Sequence, residues 1–285
     1  MGPIGVALAT GLAKLKGLWS FLYLGVKLLK FGKIALTLGS MILSIGAYTL
    51  IFGLPFAVGF VVLIFIHEMG HVYVAWKQGL PITAPVFIPF MGAIIFNKRG
   101  SDSAWSQAIM GIGGPVAGSL GACACFGIFE ATGNVFYLAL ASVGFLLNLF
   151  NLMPIVPLDG GWIVGAVSPW LWLVGLVGLL TMTFTGHMTN PMVWVLVILS
   201  LPRVWSLFRP NGNQVPGILR PPTMPQRLTM GVCYFTLAAA LMGGLSFSQV
   251  TMQNWMQQRT APRHRFTPVA SRLPERDLGV VLRRA

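Results

Sequence analysis

The stretch PFAVGFVVLIFIHEMGHVYVAW, residues 55–76, decides how this chain is read. It is one apolar run of the length a bilayer demands of a helix, about 20 residues. It carries His67, Glu68 and His71 in its second half. A charged group at the bilayer centre costs roughly 2.5–3.5 kcal/mol on insertion scales, so ionisable side chains this close together in an apolar helix need a reason. Positions i and i+4 share a helix face, which lets the imidazoles of His67 and His71 reach one metal ion. Imidazole suits zinc. Glu68, one position along, can approach a metal-bound water from the side. Two plainer readings stand beside this one: a polar cluster that ties helices together, and a pair of headgroup-level histidines.

The rest of the chain fits a membrane setting. Hydrophobic residues make up 55% and charged residues 9% of its 285 residues, where soluble domains carry about 25% charged. Mean hydropathy is +0.78. Six further or flanking runs meet or approach spanning length besides 55–76: 34–52, 104–129, 135–153, 161–182, 192–208 and 228–248, the last being the least certain to count. Residues 84–97 are apolar but too short to span. Pro85, Pro89 and Gly92 break any helix there, and Val86, Phe87, Ile88, Ile94, Ile95 and Phe96 favour extended chain. The expected fold is an all-α polytopic membrane protein with six to seven transmembrane helices and a small re-entrant β-hairpin. Its expected parts are a basic amphipathic arm (1–33), a core (34–208), a basic linker (209–227), a possible additional span (228–248) and a basic tail expected to be disordered (249–285). Cys123, Cys125 and Cys233 form no CxxC pair and read as small buried hydrophobes.

The net charge of +13 does not signal nucleic acid in so apolar a chain; anionic headgroups and topology account for it. With the N-terminal lysines inside the cell, Lys77, Lys98, Arg99, Arg203, Arg209, Arg220 and Arg227 all fall on the cytoplasmic side, as the positive-inside rule asks. The arginines from Arg259 onward agree only if 228–248 does not span, and the sequence leaves that open.

The second motif is Asn148-Leu-Phe-Asn151-Leu-Met-Pro154-Ile-Val-Pro157-Leu-Asp159-Gly160-Gly161. Asp159 is one of only six acidic residues, and a catalytic zinc site takes three protein ligands with one position left open. The competing ligands are poorly placed: Asp102 lies beyond the hairpin, Glu130 and His187 belong to the opposite face, and His264 is in the tail. Asp159 is therefore the best third ligand, its plain alternative being a turn or helix-cap aspartate. Pro154 and Pro157 bend the chain ahead of it. Gly114 and Gly118, a small-xxx-small pair, read as a helix-packing device. Asn148 reads as an interhelical hydrogen-bonding residue.

HExxH at His67–His71, the Gly113-Gly114-Pro115-Val116-Ala117-Gly118 run, and Asn151-x-x-Pro154 leading to Asp159-Gly160 resemble, in this order, the site-2 protease family of intramembrane zinc metalloproteases. The hairpin with Phe90-Met91-Gly92 is similar to that family's re-entrant β element. The resemblance covers about residues 34–208. It implies that His67, His71 and Asp159 bind one zinc ion, that Glu68 is catalytic, and that Asn151 and Gly92 contact substrate. The implied activity is peptide-bond hydrolysis in membrane-anchored protein substrates by a zinc-activated water, with Glu68 as general base; the topology set by the basic residues puts both motifs toward the cytoplasmic face. A membrane transporter or channel is the rival class, since intramembrane ionisable residues also mark ion paths. A protease-like scaffold without activity is a second. Oligomeric state and substrate identity are not encoded in any feature of the sequence.

Overall fold

A computed structural model describes residues 32–90, 92–95, 103–186, 192–208 and 221–260, together with Trp19, Tyr23 and Lys27. Most of the 1–33 arm, Lys98, Arg99, Asp102, His187, Arg209, Arg220, His264 and the tail beyond 260 lie outside the described residues. The described helices are α1 (Lys33–Phe52), α2 (Leu54–Lys77), α3 (Ala104–Thr132), α4 (Val135–Asn151), α5 (Asp159–Val167), α6 (Leu171–Phe184), α7 (Met192–Ser206) and α8 (Met224–Thr260). Two short strands, β1 (Val86–Ile88) and β2 (Gly92–Ile94), pair antiparallel with Val86 opposite Ile94 and Ile88 opposite Gly92. The chain divides into two compact units, residues 1–249 and 250–285. In the second, the described residues are the end of α8, where the Arg259 guanidinium sits 4.3 Å from the Trp255 ring centroid.

Local chemistry sets the boundaries. Pro55 stands in the first turn of α2, where a missing N–H is harmless. The Ser103 hydroxyl caps α3 by accepting from the Ser106 N–H. Gly133 ends that helix in the left-handed region, and Asn134 opens α4 by accepting from the Phe136 N–H at 3.0 Å.

Among the described residues, four helices are long and apolar enough to cross a bilayer: Ile34–Phe52, Leu54–Lys77, Ala104–Thr132 and Met224–Arg259. The remaining expected spans form shorter apolar helices, Val135–Asn151, Leu171–Phe184 and Val193–Ser206. One expected span is corrected. Residues 161–182 are not a single helix: α5 stops at Val167 and α6 starts at Leu171. Pro169 has no N–H to continue the ladder, and it forces Ser168 into extended backbone (φ −158°, ψ 122°). The last helix is longer at both ends than the 228–248 run. The cysteines are free, but Cys123 and Cys233 are exposed rather than buried; on apolar helices such faces suit lipid.

Helix α3 is the organising element, packing against α2, α4 and α5. Three clusters of buried side chains hold the assembly. One joins Tyr48 of α1 to Ala57, Val61 and Ile64 of α2 and Phe87 of β1. A second joins Ala108 and Ala122 of α3 to Phe145 of α4, Ile163 of α5 and Leu241 of α8. A third packs the 152–158 turn, through Ile155 and Val156, against Trp172 of α6 and Val197 of α7. The hairpin is pinned to α1: the Thr37 hydroxyl donates to Pro85 O (2.8 Å), the Phe87 N–H to Ser40 Oγ (3.0 Å) and the Phe90 N–H to the Tyr48 hydroxyl oxygen (3.0 Å).

Candidate metal centre

Helix α2 carries the HExxH sequence, and its register turns His67 and Glu68 inward, 3% and 7% exposed. The chain leaves α4 at Asn151, turns through residues 152–158 and begins α5 with Asp159. A carboxylate in the first turn of a helix faces the positive end of the helix dipole. The turn and the start of α5 are anchored from outside: the Tyr234 hydroxyl of α8 donates to Leu152 O at 2.6 Å, and Trp172 Nε1 donates to Gly161 O at 2.7 Å. The Arg227 guanidinium donates to Val167 O at 3.1 Å, at the other end of α5.

These elements bring three donors to one point. Asp159 Oδ2 is 3.0 Å from His67 Nε2, and Asp159 Oδ1 is 3.3 Å from His71 Nε2. The two Nε2 atoms are 3.1 Å apart. Zn–N and Zn–O distances near 2.0–2.2 Å in a tetrahedron place ligand atoms about 3.3 Å from one another, so the observed separations fit a single zinc ion. The proton pattern fits as well. His71 Nδ1 donates to Met110 O at 2.8 Å, a bond in which the carbonyl can only accept. Asn148 Nδ2 donates to Gly144 O at 2.7 Å, so its Oδ1 is the atom that faces His67 Nδ1 at 2.8 Å, and there too the histidine donates. With Nδ1 as the protonated nitrogen, the neutral form of each ring turns its Nε2 lone pair toward Asp159, which is the form in which imidazole binds a metal. Asp159 Oδ2 accordingly has no hydrogen-bond donor among the described residues, although it is buried. Three such atoms facing one another inside a helical bundle are suited to holding a cation between them. Among the described residues this is the one group of His, Cys, Asp or Glu side chains close enough to hold a metal.

Two glycines of α3 make the room. A methyl group on Gly114 would lie 2.2 Å from His71 Nε2 and 2.7 Å from His67 Nε2; one on Gly118 would lie 2.2 Å from Asn148 Oδ1. Both had read as helix-packing residues. Their spacing is the same either way, and only the tertiary register shows that the face they clear belongs to the metal centre. Asn148 is an interhelical hydrogen-bonding residue as expected, but its partner is a candidate ligand, which nothing in the local sequence reveals. Asn151 stands at the end of α4, its amide donating to Leu147 O at 3.1 Å. Gly92 opens β2 with φ +91°. Glu130 lies in the last turn of α3, and no metal-binding group includes it.

Fold and site together define a class: an integral membrane protein, largely helical, with a partly buried centre of two histidines and one aspartate. Residues 55–135 match the sequence model of Peptidase family M50, and the resemblance to the site-2 proteases is thereby shown. The match includes His67–His71 and both glycines and ends before Asp159. A zinc metalloprotease of Methanocaldococcus jannaschii is 29% identical over 107 residues. That alignment takes in 36% of this chain and 31% of the relative, so the two are comparable over about a third of their lengths. Both findings are likenesses to metalloproteases over part of the chain, and the first spans the HExxH helix.

Proposed function

We propose that the chain is an intramembrane zinc endopeptidase that cuts membrane-anchored proteins, with His67, His71 and Asp159 as the zinc ligands and Glu68 as general base. The convergence of the three donors, at 3.0 and 3.3 Å between each histidine and the aspartate, carries this reading. Zinc, when bound there, supplies Lewis acidity to water and to the scissile carbonyl. The side chains do the rest. Glu68, buried beside His67, takes a proton from the attacking water. The water oxygen bonds to the carbonyl carbon, the C–N bond breaks, and the proton passes from Glu68 to the leaving amine.

A substrate helix hides its peptide bonds in its own hydrogen bonds and must unwind to react. The hairpin supplies an edge for the unwound strand. Because the Phe87 N–H leaves the sheet toward Ser40, Phe87 and Ala93 are the non-bonded pair of the antiparallel ladder. The outer edge of β2 therefore presents its main chain at Ala93 and Ile95. We assign Gly92 to this docking edge and Asn151, at the end of α4, to a hold on substrate backbone.

The same reading counts α5 and α6 as one broken crossing, which gives seven crossings with α4, α7 and α8 included. It places the site toward the cytoplasm. Tyr73 and Trp76 are 57% and 68% exposed, and the Lys77 ammonium lies 5.7 and 5.2 Å from their ring centroids. An exposed aromatic pair beside a lysine marks headgroup level, and His71 lies five residues inside it, about 8 Å along the helix axis. The test is Glu68→Gln in purified full-length protein against single-span membrane substrates. Cleavage stops while zinc content is unchanged. Cleavage that persists in the variant removes the proposal.

A further inference from the structure

We propose that Asn148 is a positioning residue of the metal centre: its amide oxygen holds the Nδ1–H of His67 and so presents the Nε2 lone pair to the ion. This rests on the zinc reading of the site and adds to it a residue of a third helix that touches neither the ion position nor substrate.

Several observations converge on Asn148. Its side chain is 1% exposed. Its amide cannot be reversed without facing the Gly144 carbonyl with an oxygen, because the Nδ2–Gly144 O bond at 2.7 Å needs the nitrogen on that side. The oxygen is thus committed to His67 Nδ1 at 2.8 Å. The niche is fitted to the amide: a methyl on Gly118 would stand 2.2 Å from Oδ1 and 2.6 Å from Nδ2. Helix α3 yields space here for this side chain, as it does one turn earlier for the imidazoles. The two ligand histidines are also treated alike, since His71 Nδ1 is held by the Met110 carbonyl. One histidine is oriented by backbone and the other by Asn148. A ligand histidine commonly donates its second N–H to a fixed acceptor, which sets tautomer and ring angle, and removing such an acceptor weakens metal binding about 10- to 100-fold.

A plain packing role, in which Asn148 merely ties α4 to α2, makes a different prediction. Any loss of the tie would then lower stability and leave metal affinity alone. The two are separated by substitutions of similar size. Asn148→Asp keeps an acceptor toward Nδ1, while it puts an oxygen in place of the donor to Gly144 O and adds a negative charge. Asn148→Leu removes both.

The experiment measures Zn2+ affinity of full-length protein in nanodiscs by competition with a chromophoric chelator, and records the visible absorption of the Co2+-substituted form. The monodisperse fraction of each variant is used. Asn148→Leu is expected to bind Zn2+ about 10- to 100-fold more weakly, with altered Co2+ bands, while Asn148→Asp stays within about threefold of wild type and keeps its Co2+ spectrum. Gly118→Ala, which leaves Asn148 in place but crowds its amide, is expected to behave like Asn148→Leu. Equal affinities for wild type and Asn148→Leu overturn the inference, and so does an equal loss in the Asp and Leu variants. Wild-type protein that takes up no Zn2+ removes the zinc reading itself, an outcome distinct from these.

Discussion

Adding one methyl group to α3 at Gly114 should empty the metal centre without unfolding the protein. A Cβ at this position meets His71 Nε2 at 2.2 Å, His71 Cε1 at 2.5 Å and His67 Nε2 at 2.7 Å, whereas real Cβ contacts do not fall below 3.0 Å. The His71 ring must therefore retreat by about 0.8 Å, several times the ±0.2 Å within which metal–ligand distances hold. Structural zinc sites gain roughly 10–16 kcal/mol over four ligands, so loss of one ligand costs about 3 kcal/mol, a weakening of about 100-fold or more. The fold itself is little affected. Alanine improves helix propensity over glycine by about 1 kcal/mol. That offsets the roughly 0.5–1.5 kcal/mol of the hydrogen bond from His71 to Met110 O if the ring swings away. The assay is zinc stoichiometry by mass spectrometry of purified Gly114→Ala, with chelator competition and thermal unfolding alongside. Protein that is folded and depleted in zinc is the expected result. A full equivalent of zinc at wild-type affinity would refute the reasoning, because it would mean that the space under Gly114 is not the space in which the histidines bind.

Two other perturbations probe the supports of the site. Tyr234→Phe removes the hydroxyl that donates to Leu152 O at 2.6 Å; a loss of about 0.5–1.5 kcal/mol in stability is expected, read as a lowered unfolding midpoint, and an unchanged midpoint would mean that α8 does not brace the turn before Asp159. Ile95→Pro removes an outward N–H from the edge of β2 while sparing the Ile94–Val86 pairing of the ladder. Cleavage of helical substrates should fall at least about tenfold with zinc retained, whereas unchanged cleavage would place substrate elsewhere. Proline at Ile94 is less informative, because it would break the hairpin itself.

The parts of the site that depend on spacing along one element were legible from residues alone. His67 and His71 are one turn apart, and any helix through them puts both rings on one face. Asp159 stood out as a candidate because acidic residues are so scarce here that few alternatives existed, and the structure brings it beside both histidines. The hairpin followed from prolines and a glycine interrupting an extended-type run. What stayed hidden depends on register between helices. Nothing near Asn148 says that its oxygen meets His67, eighty-one positions earlier, or that Gly114 clears two imidazoles rather than a neighbouring backbone. The break at Ser168–Pro169 was hidden for another reason. Hydropathy is continuous from 161 to 182, and only the geometry of one proline, which hydropathy ignores, divides the run into α5 and α6. The cysteines were misjudged because apolar helices in lipid expose on their outer faces the small residues that a soluble protein would bury.

The central claim is that two imidazoles and one carboxylate hold a single zinc ion. X-ray absorption at the zinc edge of purified full-length protein tests it most directly, with Asp159→Ala as control. One zinc per chain is expected, with nitrogen and oxygen neighbours near 2.0–2.2 Å, no sulfur shell near 2.3 Å, and loss of the metal in the control. Protein without zinc, a sulfur-ligated ion, or full occupancy in Asp159→Ala would contradict the account.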